Sequence, residues 1–187
     1  LPWKEDFNPV LVDQPMYSFN LYECPSPSYV VDSRLLEKNL SILKDIAERS
    51  GAKILLAQKA FSMFYFYPLV GKYLDGGAAS GLFEARLARE ELKGEVHTYS
   101  PAFKESEFSD IAEYSDHIVF NTLDQYERFG DIALEAGCSC GLRINPLHST
   151  QEHAIYDPCA PGSRLGTRCD VLPETLPQGI SGIHFHT

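Results

Sequence analysis

Short β-prone apolar runs alternate with helix-like stretches along most of this chain, and that alternation constrains the fold more than any other feature. Ser28 to Val31, Lys53 to Ala57, Gly77 to Ala79, Val96 to Tyr99, His117 to Phe120, Cys140 to Ile144 and Gly179 to His186 read as β segments. Between them lie helical patterns over 34–50, 81–92, 105–114 and 122–136, and one over 61–74 that Pro68 interrupts. Strands separated by helices imply βαβ units and a parallel sheet with right-handed crossovers. A barrel or a doubly wound sheet follows. An eight-unit barrel takes about 250 residues; with 187 residues, the expectation is a barrel that this chain does not close.

The element ends carry their own signals. Asp32 and Ser33 are N-cap residues for the first helix, Leu36, Leu40, Leu43 and Ala47 form its apolar stripe, and Gly51 stops it. Ser80 is placed to cap the helix that starts at Gly81. Thr122 to Gln125 has the spacing of a capping box. Pro2, Pro9, Pro15, Pro25 and Pro27 make residues 1–27 an extended arm, and residues 28–187 the start of the α/β unit.

Hydrophobic residues make up 44% and charged residues 22%, enough for a real core. A net charge of −10 without a clustered basic face argues against a nucleic-acid partner and suits a small cationic substrate. Five cysteines without a framework spacing fit a reducing, cytoplasmic setting. No apolar run has the length of a membrane span, and Lys4, Glu5 and Asp6 do not open a signal peptide.

The chemistry centres on Lys53 to Ser62, an apolar run that delivers Lys59 to a strand's carboxyl end. That end is where α/β barrels hold their active sites, and a lysine amine there is a candidate Schiff-base nucleophile. The alternative is a lysine that snorkels from a core strand. His184 and His186 share one face of the last strand, but two ligands without a third do not make a metal site. Cys138 and Cys140 read as small core residues.

Several segments together resemble one family. Pro25 to Asp32, Gln58 to Phe61, Ala79 to Glu84, Tyr99 to Phe103, Gly141 to Pro146, Asp157 to Gly166 and Gly182 to Thr187 resemble the amino-terminal half of the carboxynorspermidine decarboxylases. These are pyridoxal-phosphate enzymes of the alanine-racemase and ornithine-decarboxylase fold. The resemblance implies a partial (β/α)8 TIM-like barrel of the alanine-racemase type. It implies that Lys59 forms the internal aldimine with pyridoxal 5'-phosphate, that His186 lies on the coenzyme ring, and that Arg143 steadies its phenolic oxygen. For Arg143 a rim salt bridge is the alternative, and for His184 a satisfied core position. Arg164 takes a supporting role. Ser80 and Glu84 lie where a loop reaches the rim, although a helix cap and a solvated carboxylate explain them too.

The implied reaction is decarboxylation of carboxynorspermidine or carboxyspermidine to the polyamine, in a homodimer when the chain is full length. The phosphate loops, the partner of the pyridine nitrogen and the carboxy-terminal β-domain are expected beyond Thr187, so this chain alone is expected to be a poor catalyst. The alternatives are another decarboxylase of the fold, such as one acting on diaminopimelate, and a non-catalytic coenzyme-binding or regulatory paralogue.

Overall fold

The computed structural model describes residues 19–187. Residues 1–18, and with them most of the arm expected over 1–27, lie outside the described residues. Helix α1 (Ser33–Ser50) starts where the Asp32 carboxylate accepts hydrogen bonds from the backbone N–H groups of Arg34 and Leu35, at 2.9 and 3.3 Å. It stops at Gly51, whose φ of 71° suits a residue without Cβ and whose N–H reaches Ala47 O at 2.9 Å.

Among the described residues, seven strands then form a parallel sheet. They are β1 (Leu55–Ala57), β2 (Gly76–Ala79), β3 (Glu95–Tyr99), β4 (His117–Phe120), β5 (Ser139–Asn145), β6 (Thr167–Arg168) and β7 (Ile180–His184). β1 to β5 lie side by side in sequence order. β6 and β7 each pair with β5, β6 at its carboxyl end. Crossovers between neighbours run through α2 (Tyr67–Val70), α3 (Leu82–Leu87), α4 (Glu105–Tyr114) and α5 (Leu123–Glu135). The sheet does not close among the described residues.

Burial alternates along the middle strands. Val96, Thr98, Ile118 and Phe120 are buried on the face that the helices cover, whereas Glu95, His97, Tyr99, His117 and Val119 on the other face are half-buried. The period of two puts all the chemistry-bearing side chains of β3 on that second face. Beneath the covered face Phe108 of α4 stacks on Phe129 of α5, with ring centroids 4.5 Å apart, and both rings join a core with Phe120, Ile118 and Leu142. A second cluster, Leu40, Tyr67, Val70, Leu74 and Leu92, seats α1 and α2.

Three expectations are corrected. Ser28 to Val31 is not a strand, and Tyr29 is almost fully exposed; β propensity measures fit to a packed, pleated surface, and among the described residues no neighbouring strand supplies one there. Pro68 does not interrupt a helix. It sits in the first turn of α2, where the N–H it lacks has no intrahelical partner to lose. The run leading to Lys59 is not buried on both faces: Leu55 and Leu56 are half-buried and Ala57 is exposed, because β1 has a neighbour on one side alone among the described residues.

Candidate functional site

Lys59 follows the end of β1 by two residues, in a turn, with its side chain exposed. The residue before it is locked. Gln58 is 1% exposed; its Nε2 donates to Glu84 O at 2.9 Å, and its Oε1 accepts from the Tyr67 hydroxyl at 3.2 Å. A buried amide satisfied on both ends fixes the backbone from which Lys59 projects.

Deeper in, three side chains stack. The Arg143 guanidinium lies 4.8 Å from the centre of the Tyr99 ring, and the His184 ring stacks on Tyr99 at 5.3 Å with 20° between planes. Arg143 is a buried cation. Burial, then the positive charge of Arg143, then His186, push the His184 imidazole down to about 4, so it is neutral at pH 7. Burial raises the Tyr99 hydroxyl while Arg143 pulls it the other way, and it too stays protonated. The Nδ1 atom of His184 is buried and has no hydrogen-bond partner among the described residues.

Asn121, at the end of β4 and 4% exposed, organises the wall around this stack. Its Oδ1 accepts from the Tyr99 hydroxyl at 2.9 Å and from Gly166 N at 2.7 Å, and its Nδ2 donates to Arg164 O at 2.9 Å. Gly166 has a φ of +83°, and a Cβ there would lie 3.0 Å from Arg143 Cγ. One side chain thus pins the loop after Pro158 against Tyr99 and Arg143.

Lys59, Ser80, Arg143 and His186 all line one cavity of about 370 Å³, together with Tyr99, His184 and His97. An adjoining space of about 390 Å³ shares the same four residues and extends to Tyr156 and Asp157. Four separate segments therefore deliver the four sequence-selected residues to one place. Ser80 does not cap α3 with its hydroxyl. The reverse contact is made instead, with the Glu84 carboxylate accepting from Ser80 N at 2.7 Å, so Glu84 is not a merely solvated group. Arg164 is exposed and enters through its backbone carbonyl. Cys138 and Cys140 are buried and free, and burial pushes the Cys140 thiol up to about 11. The histidine stacked on Tyr99 is His184.

No family model matches the chain. Among curated proteins, a carboxynorspermidine/carboxyspermidine decarboxylase of Campylobacter jejuni is 43% identical over 161 residues, covering 86% of this chain and 42% of that protein. A carboxyaminopropylagmatine decarboxylase of Synechocystis is 38% identical over 166 residues, 89% of this chain and 43% of that protein. The crystal structure of Campylobacter jejuni carboxynorspermidine decarboxylase complexed with norspermidine superposes with a TM-score of 0.72 at 41% identity, over 82% of this chain and 39% of the other. The chain is a partial, amino-terminal-half match to the carboxynorspermidine/carboxyspermidine decarboxylases. It spans less than half the length of each of these proteins. The match to the carboxynorspermidine decarboxylase structure gives the unclosed parallel sheet its architecture, a partial TIM-like barrel.

Sequence reasoning did not single out Gln58, Tyr99 and Asn121 as site residues. Tyr99 had a signal: Glu95, His97 and Tyr99 recur at every second position of β3, a polar stripe on the inner face of a strand whose other face is buried. Asn121 had none, because its partners lie 22, 43 and 45 residues away.

Proposed function

We propose that this chain carries the lysine-bearing part of a pyridoxal-phosphate-dependent decarboxylase that acts on a carboxylated polyamine, releasing norspermidine or spermidine. The observation that carries this reading is the convergence of Lys59, Ser80, Arg143 and His186 on one cavity in a chain of this relationship. The residues fit the coenzyme. An exposed amine stands beside the cavity, a buried arginine supplies fixed positive charge, an aromatic and imidazole wall lies below, and the His184 Nδ1 atom is buried and unpartnered. Lys59 would hold the group covalently, with Arg143, Ser80 and His186 around it. When bound, pyridoxal phosphate supplies the electron sink that accepts the pair left as carbon dioxide departs.

The chain's own residues set the conditions. Lys59 lies outside the core, so its side chain can move without displacing packed neighbours, while Gln58 keeps its backbone fixed. Arg143 places a guanidinium against the Tyr99 ring, and burial, helped by that neighbouring charge, keeps His184 neutral. Asn121 holds Tyr99 and the Gly166 loop in register, so the wall is fixed before substrate enters. The chain's net charge of −10 favours approach of a polycation.

The test uses the full protein that contains this chain, assayed for carbon dioxide release from carboxynorspermidine, carboxyspermidine, carboxyaminopropylagmatine and diaminopimelate. Carboxynorspermidine or carboxyspermidine should be preferred, and Lys59→Ala should lower turnover by roughly a thousandfold or more, as expected when a covalent catalytic group is lost. Borohydride trapping followed by peptide mapping should place the coenzyme on Lys59. Label on Lys53, Lys72 or Lys104 would overturn the assignment, and preference for carboxyaminopropylagmatine or diaminopimelate would overturn the substrate.

A further inference from the structure

One layer below Tyr99, the same inner face carries a cluster that the decarboxylase reading does not use. Glu95 and His97 stand two residues apart on β3, and His117 opens β4 directly opposite His97 in the strand register. Glu95 Oε2 lies 3.1 Å from His97 Nε2 and 3.9 Å from His117 Nε2, and all three ligand atoms fall within 4.8 Å of one another. The two imidazoles are stacked, with centroids 4.0 Å apart, so that both present Nε2 to the same carboxylate. We propose that Glu95, His97 and His117 form a binding site for a zinc-class divalent metal ion, reached from the cavity that also holds Lys59.

The geometry is the first support. A tetrahedral zinc ion with bonds of about 2.0–2.1 Å holds its ligand atoms about 3.4 Å apart, which lies between the two separations that the carboxylate oxygen makes with the imidazoles. Rotation about side-chain bonds closes the remaining gap, since the backbones of two hydrogen-bonded strands already fix the three attachment points.

The donor set is the second. Two imidazole nitrogens and one carboxylate oxygen suit zinc and its transition-metal neighbours, whereas magnesium and calcium prefer oxygen throughout. Three protein ligands leave one coordination position open, the arrangement of reactive rather than closed structural zinc sites. Of the three, His97 also lines the cavity that holds Lys59.

The surroundings are the third. The Lys53 ammonium pairs with Glu95 through Oε1, leaving Oε2 to the histidines. A ligating carboxylate oriented by a second hydrogen-bonding group is the usual support of a metal site.

This inference is independent of the decarboxylase reading, because its test reads metal binding alone. The full protein is stripped with a chelator and titrated with zinc by calorimetry, then with cobalt by visible absorption. One equivalent of zinc should bind, and cobalt should give the intense visible bands of a four-coordinate ion. His117→Gln and, separately, the isosteric Glu95→Gln should each weaken zinc by about tenfold or more, with melting curves showing that each variant is folded. His184→Gln should leave binding in place, which separates this site from the His184 and His186 pair. Zinc that binds with unchanged affinity after either ligand change, binds no better than magnesium, or fails to bind the parent protein would overturn the proposal.

Discussion

His184 shows how a single side chain couples the site to the stability of the sheet. Its imidazole, stacked on Tyr99, is held down to about 4 in the folded chain against an ordinary value of 6.5, chiefly by burial and then by the Arg143 charge. Between those two values the unfolded chain binds a proton at this position and the folded chain does not. The contribution of His184 to stability is therefore complete above pH 6.5 and is lost as the pH falls toward 4. Because the ring is only half-buried, the loss after allowance for solvent screening is about 1 to 2 kcal/mol. Urea unfolding at pH 7 and pH 4.5 should show a steeper fall for the parent chain than for His184→Gln. Equal falls would mean that the imidazole titrates normally in the folded chain.

At the scale of elements, α5 and β7 depend on one tight approach. Gly130 of α5 sits under the Tyr126 ring, where a Cβ would lie 2.6 Å from Cε2, and the Tyr126 hydroxyl donates to Gln178 O at 2.6 Å just before β7 begins. Gly130→Ala gains up to about 1 kcal/mol of helix propensity, but it must push a buried ring off its hydrogen bond, an overpacking cost of about 1–3 kcal/mol. The variant should be less stable by about 1 kcal/mol in chemical denaturation, and a more stable variant would show that the ring yields freely. This packing was not legible in the sequence, where Gly130 is one glycine in a helical pattern. What was legible was local. The expected and observed bounds of α4 coincide, and Asp32, Gly51 and Thr122 cap or end helices as their types require. In the capping box the Thr122 hydroxyl accepts from Gln125 N at 3.2 Å, and the Gln125 side chain reaches Asn121 N at 2.6 Å. Where partners are distant the residues gave no sign. Asn121 reads as the residue before a cap, β6 is two residues without a pattern, and the pairing of Glu95 with Lys53 spans 42 positions. Lys59, Ser80, Arg143 and His186 could be selected from motifs, but their sharing one cavity depends on strand order and register, which no short stretch encodes.

At the scale of the whole molecule, the open sheet governs how this chain behaves by itself. Among the described residues β1 pairs with β2 alone and β7 with β5 alone, so each presents a row of backbone donors and acceptors without a ladder partner. The outer face of β7 is also uncovered. Ile183, level with the buried Leu142, is 66% exposed, and Phe185 is 63% exposed, although strands of this kind ordinarily lie beneath helices. An unpaired strand edge beside exposed apolar side chains favours pairing between copies. A solution of the 187-residue chain should therefore show a weight-average mass in sedimentation that rises with concentration. Ile183→Lys should lower that mass toward the monomer, because a charge on the exposed face of an edge strand opposes a second strand docking there. The helical content of the variant should not change, since Ile183 belongs to neither buried cluster. A parent chain that stays monomeric over a wide range of concentrations would show that both edges are protected, and association unaffected by Ile183→Lys would place the contact away from β7.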